Sequence, residues 1–88
     1  MRFQAFDWDE WNVEHIAHHR IEPYEVEGVL RSHPVVLRGH EGRYIAYGRT
    51  SEGRYLFIVL VARGGGVVRV ITARNMTQRE RQFYQRRR

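Results

Sequence analysis

The chain has 88 residues, no cysteine and a formal net charge of +5, and its 15 basic residues are all arginines. This length indicates one domain over residues 1–88, and the lack of cysteine excludes disulfide bonds and thiolate metal sites. No apolar run approaches the ~20 residues that a membrane span requires. We therefore expect a cytoplasmic protein without a membrane segment, whose positive charge favours a polyanionic partner such as RNA.

The first third of the chain predicts one strand and two helices. Arg2–Trp8 alternates loosely between apolar and polar residues, and Asp9 is a suitable N-cap for a helix over Glu10–His19. Pro23 suits the first turn of a second helix over Pro23–Arg31.

The rest of the chain predicts an antiparallel meander followed by a helix. Its strands are expected at Val35–Arg38, Arg43–Thr50, Arg54–Arg63 and Val67–Arg74. The short connections between them are typical of hairpins. Thr77 and Glu80 form a capping box that opens a last helix ending near Arg86. The sequence therefore predicts an α+β fold with the order β-α-α-β-β-β-β-α.

The first predicted helix carries the candidate proton carriers His15, His18 and His19. Their spacing would allow two imidazoles to bind one metal ion, but no persuasive third ligand follows, so no metal site is predicted. Asn12, His15 and His19 share one arc of the helix and are interpreted in two ways. They either make buried hydrogen bonds that fix the helix, or one imidazole acts as a general acid or base near neutral pH.

Arginines gather where the last strand meets the last helix. Arg74 precedes the helix N-terminus, whose free N–H groups favour an anion, and Arg69 and Arg79 lie close by in sequence. Arg43, Arg49 and Arg54 flank strands, where they are either RNA contacts or edge charges that prevent aggregation. The arginines predicted to bind RNA are Arg43, Arg49, Arg54 and Arg79.

Aromatic residues alternate with these arginines. The set comprises Tyr44, Tyr47, Tyr55, Phe57 and Tyr84. Aromatic rings beside arginines suit base stacking over a phosphate track, although the strands of a small core need aromatic residues as well. Trp8 and Trp11 flank the start of the first helix and are expected to anchor the fold.

Several short segments occur in the order and spacing of one protein family. They are Phe6–Glu10, Asn12, His18–Ile21, Gly48–Thr50, Gly53–Arg54, Arg69–Arg74, Thr77, Glu80–Arg81 and Tyr84. Together they resemble the BrnT-type toxins of type II toxin–antitoxin systems. The resemblance implies a RelE-like ribonuclease fold, with helices packed on a curved antiparallel sheet. It also implies an RNA-cleaving toxin that is silenced by a BrnA-type antitoxin in a heterotetramer, with operon DNA bound only through the antitoxin.

The chain departs from this family at two places. The family usually has Lys-His-Gly where this chain has His18-His19-Arg20, so the lysine and the glycine that normally ends the helix are absent. The fourth strand, which ends Val59–Arg63, lacks a tyrosine often seen there.

Two functions are compatible with these residues. The first is a metal-independent endoribonuclease without a cofactor, in which the RNA 2′-OH is the nucleophile. His19, or otherwise His15, is then the acid–base group, Arg74 and Arg69 hold the scissile phosphate, and Tyr84 orients the substrate or donates a proton. The second is a non-catalytic module of the same fold that binds RNA or protein.

Overall fold

A short N-terminal strand joins the predicted meander and makes a five-stranded sheet. In the computed structural model, which describes residues 3–88, the strands are β1 (Ala5–Phe6), β2 (Val35–Arg38), β3 (Arg43–Arg49), β4 (Tyr55–Gly64) and β5 (Val67–Asn75). β2 to β5 pair antiparallel in sequence order, which confirms the meander. β1 pairs parallel with β5, so the sheet is mixed rather than wholly antiparallel. Arg2, in the first predicted strand, lies outside the described residues.

Three helices complete the predicted order of elements, and each begins at a capping box. They are α1 (Glu10–Ala17), α2 (Pro23–Arg31) and α3 (Gln78–Arg87). The Asp9 carboxylate accepts from the Asn12 amide at 3.2 Å. Thr77 and Glu80 cap each other reciprocally, at 2.9 and 3.2 Å. Each box satisfies helix N–H groups that would otherwise lack partners.

The two faces of the sheet are covered unequally. Along β4, Leu56, Ile58 and Leu60 are fully buried and belong to the main core with residues of α1 and α2. Tyr55 and Phe57 alternate with them and belong to a smaller cluster on the opposite face, under α3. We refer to these as the α1–α2 face and the α3 face.

Asn12 fixes α1 to the sheet from within the core. Its side chain is fully buried, and its amide donates to the carbonyl oxygens of Asp7 at 2.9 Å and Val70 at 3.1 Å. Its side-chain oxygen accepts from the Asp9 amide at 2.8 Å. A buried side-chain amide needs such partners, because leaving it unpaired costs about 1–3 kcal/mol. For Asn12, the structural interpretation of the polar arc on α1 is therefore confirmed.

Arg20 supplies the helix end that a glycine usually forms. It adopts a left-handed φ of 59°, its amide donates to Ala17 and the Ile21 amide donates to Ile16. These two bonds define a Schellman motif, and the accompanying contact is between the buried Ile16 and Ile21. The motif therefore persists without glycine, at the cost of placing a side chain in the left-handed region.

We predict that Arg20→Gly stabilises the protein by about 0.5–1 kcal/mol, because glycine adopts this conformation without steric cost. Urea-induced unfolding measures the effect. Arg20→Ala, which keeps the Cβ, serves as the control and should give no gain. A destabilised Arg20→Gly variant would show that the arginine side chain contributes more than its backbone strain costs.

Two glycines respond oppositely to an added methyl group. A Cβ at Gly48 in β3 would overlap with Cγ1 of Val29, whereas a Cβ at Gly28 in α2 meets no atom within 4 Å. We predict that Gly48→Ala destabilises the fold by roughly 1–3 kcal/mol through overpacking. Gly28→Ala should stabilise α2 by about 1 kcal/mol. Thermal unfolding of both variants tests the prediction, which fails if the two shifts have the same sign.

Candidate active site

Arg74 is held rigidly on the α3 face of the sheet. It pairs in register with Phe57, and its guanidinium lies 3.9 Å from the centre of that ring. Two parallel hydrogen bonds, of 2.8 and 3.0 Å, join it to the Glu80 carboxylate. The bond from Arg74 lowers the pKa of Glu80, and the same bond raises the pKa of Arg74. Arg74 is therefore a preorganised cation whose charge is compensated by Glu80.

Arg69 ties β5 to the loop that precedes α1. Its guanidinium contacts the carboxylates of Asp9 at 3.0 Å and Asp7 at 3.5 Å, and its side chain is 16% exposed. The hydrogen bond from Arg69 is the largest cause that lowers the pKa of Asp9. Two carboxylates thus compensate this cation, and its role in holding the scissile phosphate stays a prediction.

Arg54, predicted to bind RNA, joins three segments of the fold. One guanidinium nitrogen donates to both oxygens of the buried Glu25, at 3.0 and 3.1 Å, and to the carbonyl of Arg20 at 2.8 Å. The other donates to the side chain of Asn75 at 3.2 Å. The side chain is therefore engaged with α2, the α1–α2 turn and the end of β5, which favours a structural role over an RNA contact.

His15 lies on α1, which packs on the face of the sheet opposite to α3. His18 caps this helix and His19 follows it, because the helix ends at Ala17 and not at the predicted His19. His15 stacks on Trp11 with ring centres 5.0 Å apart, and His19 meets His15 edge-on at 6.4 Å. Trp11 is 57% exposed, so the expectation that it anchors the fold is wrong. Trp8 does pack against the core, where its indole N–H donates to Glu27 at 2.8 Å. In the described part of the chain, no three metal-ligating side chains are grouped.

A line of contacts nevertheless joins the end of α1 to Arg74. It runs from the Arg20 carbonyl through Arg54 to Asn75, whose own carbonyl accepts from Arg74 at 3.2 Å. His19 is next to Arg20 in the chain, so His19 and Arg74 flank the same end of the sheet. The structure thus places these residues around one end of the sheet but gives no direct contact between them.

The other predicted residues differ in exposure. Arg43 is exposed and borders a shallow cleft of about 300 Å³ at the start of β3, and Arg79 is exposed on α3. Among residues 3–88, neither has a carboxylate within ion-pair distance. Tyr84, a residue of α3, is buried with Tyr47 and Met76 and contacts the Tyr55 ring edge-on at 6.0 Å.

Comparison with known proteins identifies the family. The family model described as the ribonuclease toxin BrnT of type II toxin–antitoxin systems matches residues 8–80. The chain belongs to the BrnT family. The crystal structure of the Brucella abortus ribonuclease toxin BrnT matches with a TM-score of 0.69 and 22% sequence identity, covering 84% of this chain and 97% of that one. This likeness confirms the fold. No curated protein gives a significant match.

Membership of the BrnT family places the chain in a type II toxin–antitoxin system, which implies an antitoxin partner. No helix among residues 3–88 is long and apolar enough to cross a membrane.

Sequence reasoning about this BrnT protein missed the surroundings of Tyr55. The guanidinium carbons of Arg81 and Arg49 lie 4.2 and 5.1 Å from the centre of the Tyr55 ring. The Gln85 amide donates to the Tyr55 hydroxyl at 3.4 Å. In a strongly amphipathic helix, the spacing of apolar residues predicts which face meets the sheet. α3 has only two apolar residues, Phe83 and Tyr84, so its sequence gives little indication of that face.

The ion pair between Arg74 and Glu80 predicts a pH dependence of stability in this BrnT protein. Because the pKa of Glu80 lies below its ordinary value of 4.5, the contribution is complete above that value and is lost as pH falls through the folded-state pKa. Glu80→Gln should therefore be less stable than the wild type by about 1 kcal/mol at neutral pH. This difference in stability between Glu80→Gln and the wild type should become smaller below pH 4.5.

Urea unfolding between neutral pH and pH 3 measures this difference. In an Arg74→Gln background the effect of Glu80→Gln should lose most of its pH dependence, because the arginine is the largest cause that lowers the Glu80 pKa. An equal difference at every pH would contradict the assignment.

Proposed function

We propose that this BrnT protein is a metal-independent endoribonuclease that uses the RNA 2′-OH as its nucleophile. In this reaction the 2′-oxygen forms a bond to phosphorus while a base takes its proton. The bond from phosphorus to the 5′-oxygen breaks, and that oxygen takes up a proton. The products are a 2′,3′-cyclic phosphate and a 5′-OH end.

The segregation of charge supports RNA binding on the α3 side. Between Arg79 and Arg88 the chain carries five arginines and one acid, Glu80. By contrast, seven of its ten acidic residues lie between Asp7 and Glu27, in the segment that leads into and forms α1 and α2. Such a basic surface attracts a polyanion whatever its sequence, and its affinity depends on phosphate contacts.

Arg74 is the side chain best prepared to stabilise charge on the scissile phosphate. Its position is set by Phe57 and Glu80 before any substrate arrives, and a preorganised cation costs no reorganisation during the reaction. Its side chain remains 35% exposed, so part of the guanidinium is accessible. In this proposal the phosphate meets Arg74 at that accessible part, and Arg69 is the second predicted contact of the scissile phosphate.

His19 is the proposed acid–base group, with His15 as the other candidate. His19 is exposed at the end of α1, beside the turn whose carbonyl is bound by Arg54. RNA that follows the end of the sheet from α3 would pass both Arg74 and His19. In this proposal Tyr84 orients the substrate from α3, where its ring lies next to Tyr55.

One observation favours the alternative, a non-catalytic RNA-binding or protein-interaction module. α1 with His15 packs on one face of the sheet, Arg74 lies on the other, and the Arg74 fork is occupied by Glu80. Binding without chemistry needs only the basic surface.

We expect the purified protein, in excess EDTA, to cleave single-stranded RNA but not the same sequence as DNA, and to leave 2′,3′-cyclic phosphate ends. His19→Ala should slow cleavage by about 10²–10⁴-fold, as for loss of an acid–base group. Arg74→Ala should slow it by about 10²–10³-fold, as for loss of one fixed electrostatic contact. The control is Arg38→Ala, on the far edge strand β2, which should retain the wild-type rate.

Full activity of both His19→Ala and Arg74→Ala would refute the residue roles. Salt-sensitive RNA binding without cleavage by the wild type would instead establish the binding module. We also propose that a BrnA-type antitoxin neutralises the protein in a heterotetramer, and that operon DNA is bound only through the antitoxin. Adding the antitoxin should then stop cleavage, and light scattering should give the mass of two chains of each kind.

A further inference from the structure

We propose that Arg49 and Arg81 form, around Tyr55, a phosphate-binding subsite for the RNA backbone next to Arg74. This inference rests on the proposed RNA binding but not on cleavage. The ligand is a phosphodiester group, recognised by two guanidinium forks and the tyrosine hydroxyl.

The first observation is an excess of positive charge around one ring. Both guanidinium carbons lie over the Tyr55 ring, at 4.2 Å for Arg81 and 5.1 Å for Arg49. Among residues 3–88, neither arginine has a carboxylate within 4.0 Å. The face of a ring attracts each cation by only about 0.5–1 kcal/mol at an exposed site, and it does not neutralise their mutual repulsion. A phosphate group bound beside the ring would offset that repulsion.

The second observation is open space for a phosphate group beside each arginine. Two clefts that share Gly53 flank the arginines, one of about 440 Å³ bordered by Arg49 and Arg88, and one of about 220 Å³ bordered by Tyr55 and Arg81. Gly53 has a left-handed φ of 95°, and a Cβ there would lie 3.4 Å from a guanidinium nitrogen of Arg49. A side chain at this turn would thus take up space beside the arginine.

The charged groups nearest the clefts leave the two arginines uncompensated. Arg54, in the second cleft, is already paired with Glu25. Glu52 borders the first cleft, but within residues 3–88 its carboxylate forms no ion pair with either arginine. Glu80 is committed to Arg74. The charge around Tyr55 is therefore positive.

The third observation is the state of the tyrosine hydroxyl. The hydrogen bond from Gln85 and the charges of Arg49 and Arg81 lower the pKa of Tyr55. A hydroxyl in this electropositive setting is a stronger hydrogen-bond donor toward a phosphate oxygen. Tyr55 and Phe57 are two residues apart on one strand face, so the subsite lies roughly 7 Å along the strand from the ring that carries Arg74.

The test measures affinity for a 2′-O-methyl RNA oligonucleotide, which cannot be cleaved, as a function of salt concentration. For a single strand, each lost phosphate contact reduces the slope of log K against log salt by about 0.7. We expect this reduction for Arg49→Gln and for Arg81→Gln. The matched control is Arg38→Gln, because Arg38 lies over Tyr44 at 5.8 Å as a single arginine–tyrosine pair, and its slope should not change.

A second readout reports on the subsite directly. In protein carrying ¹³Cζ-labelled tyrosine, the Tyr55 resonance, assigned with Tyr55→Phe, should titrate at a higher pH when the oligonucleotide is bound, because the phosphate offsets both arginines. A purely structural role for these contacts would lower the melting temperature of the variants and leave both the slope and the Tyr55 titration unchanged.

The outcomes separate this subsite from the ribonuclease proposal. Reduced slopes in a protein that does not cleave RNA would support the subsite and refute the enzyme. Unchanged slopes in a protein that does cleave RNA would overturn the subsite alone. No measurable binding of the oligonucleotide would overturn the subsite as well.

Discussion

The ion pair between Arg54 and Glu25 fixes the end of the sheet on which the candidate site depends. Glu25 is 6% exposed, and a carboxylate so nearly removed from water must be paired to remain charged. Arg54 meets that need and uses its other donors on the Arg20 carbonyl and on Asn75. Because Asn75 follows Arg74, one arginine sets the α1–α2 turn and the end of β5 relative to each other. Arg54, which the sequence suggests as an RNA contact, thus connects three segments of the fold.

Two kinds of partner distinguish the arginines around the candidate site. Some are compensated by carboxylates distant in sequence, as Arg54 is by Glu25 and Arg69 by Asp7 and Asp9. Others lie over aromatic rings instead, as Arg49 and Arg81 do over Tyr55. Arginines of the second kind keep their full charge available to a ligand, since a ring attracts a cation without neutralising it. Fewer arginines are therefore available to bind an anion than the arginine content of the chain suggests.

The elements of this fold could be predicted from the sequence because their signals are local. Capping boxes mark the helix starts, and short turns specify a meander, so Asp9 and Thr77 sufficed to place α1 and α3. The parallel pairing of β1 with β5 could not be predicted in this way, since it joins Ala5 to Val67 across most of the chain. The site was less predictable for the same reason. The grouping of Arg49 with Tyr55 arises from strand register, and that of Arg81 from the way α3 crosses the sheet.

The composition of α3 explains why its arginines contribute both to packing and to the positive charge. Its ten residues include only two apolar ones, Phe83 and Tyr84, which is little area to hold a helix on a sheet. Arginine side chains can supply further contact area, because the aliphatic stem and the planar guanidinium pack on a ring while the charge stays in water. Arg81 over Tyr55 has this arrangement between α3 and the sheet, and Arg87 packs on Phe83 within α3 itself. A lysine has no planar head, so exchanging these arginines for lysine would keep the charge and weaken the packing that orients it. Arginine therefore has a physical role at these positions, whatever the origin of its predominance in the rest of the chain.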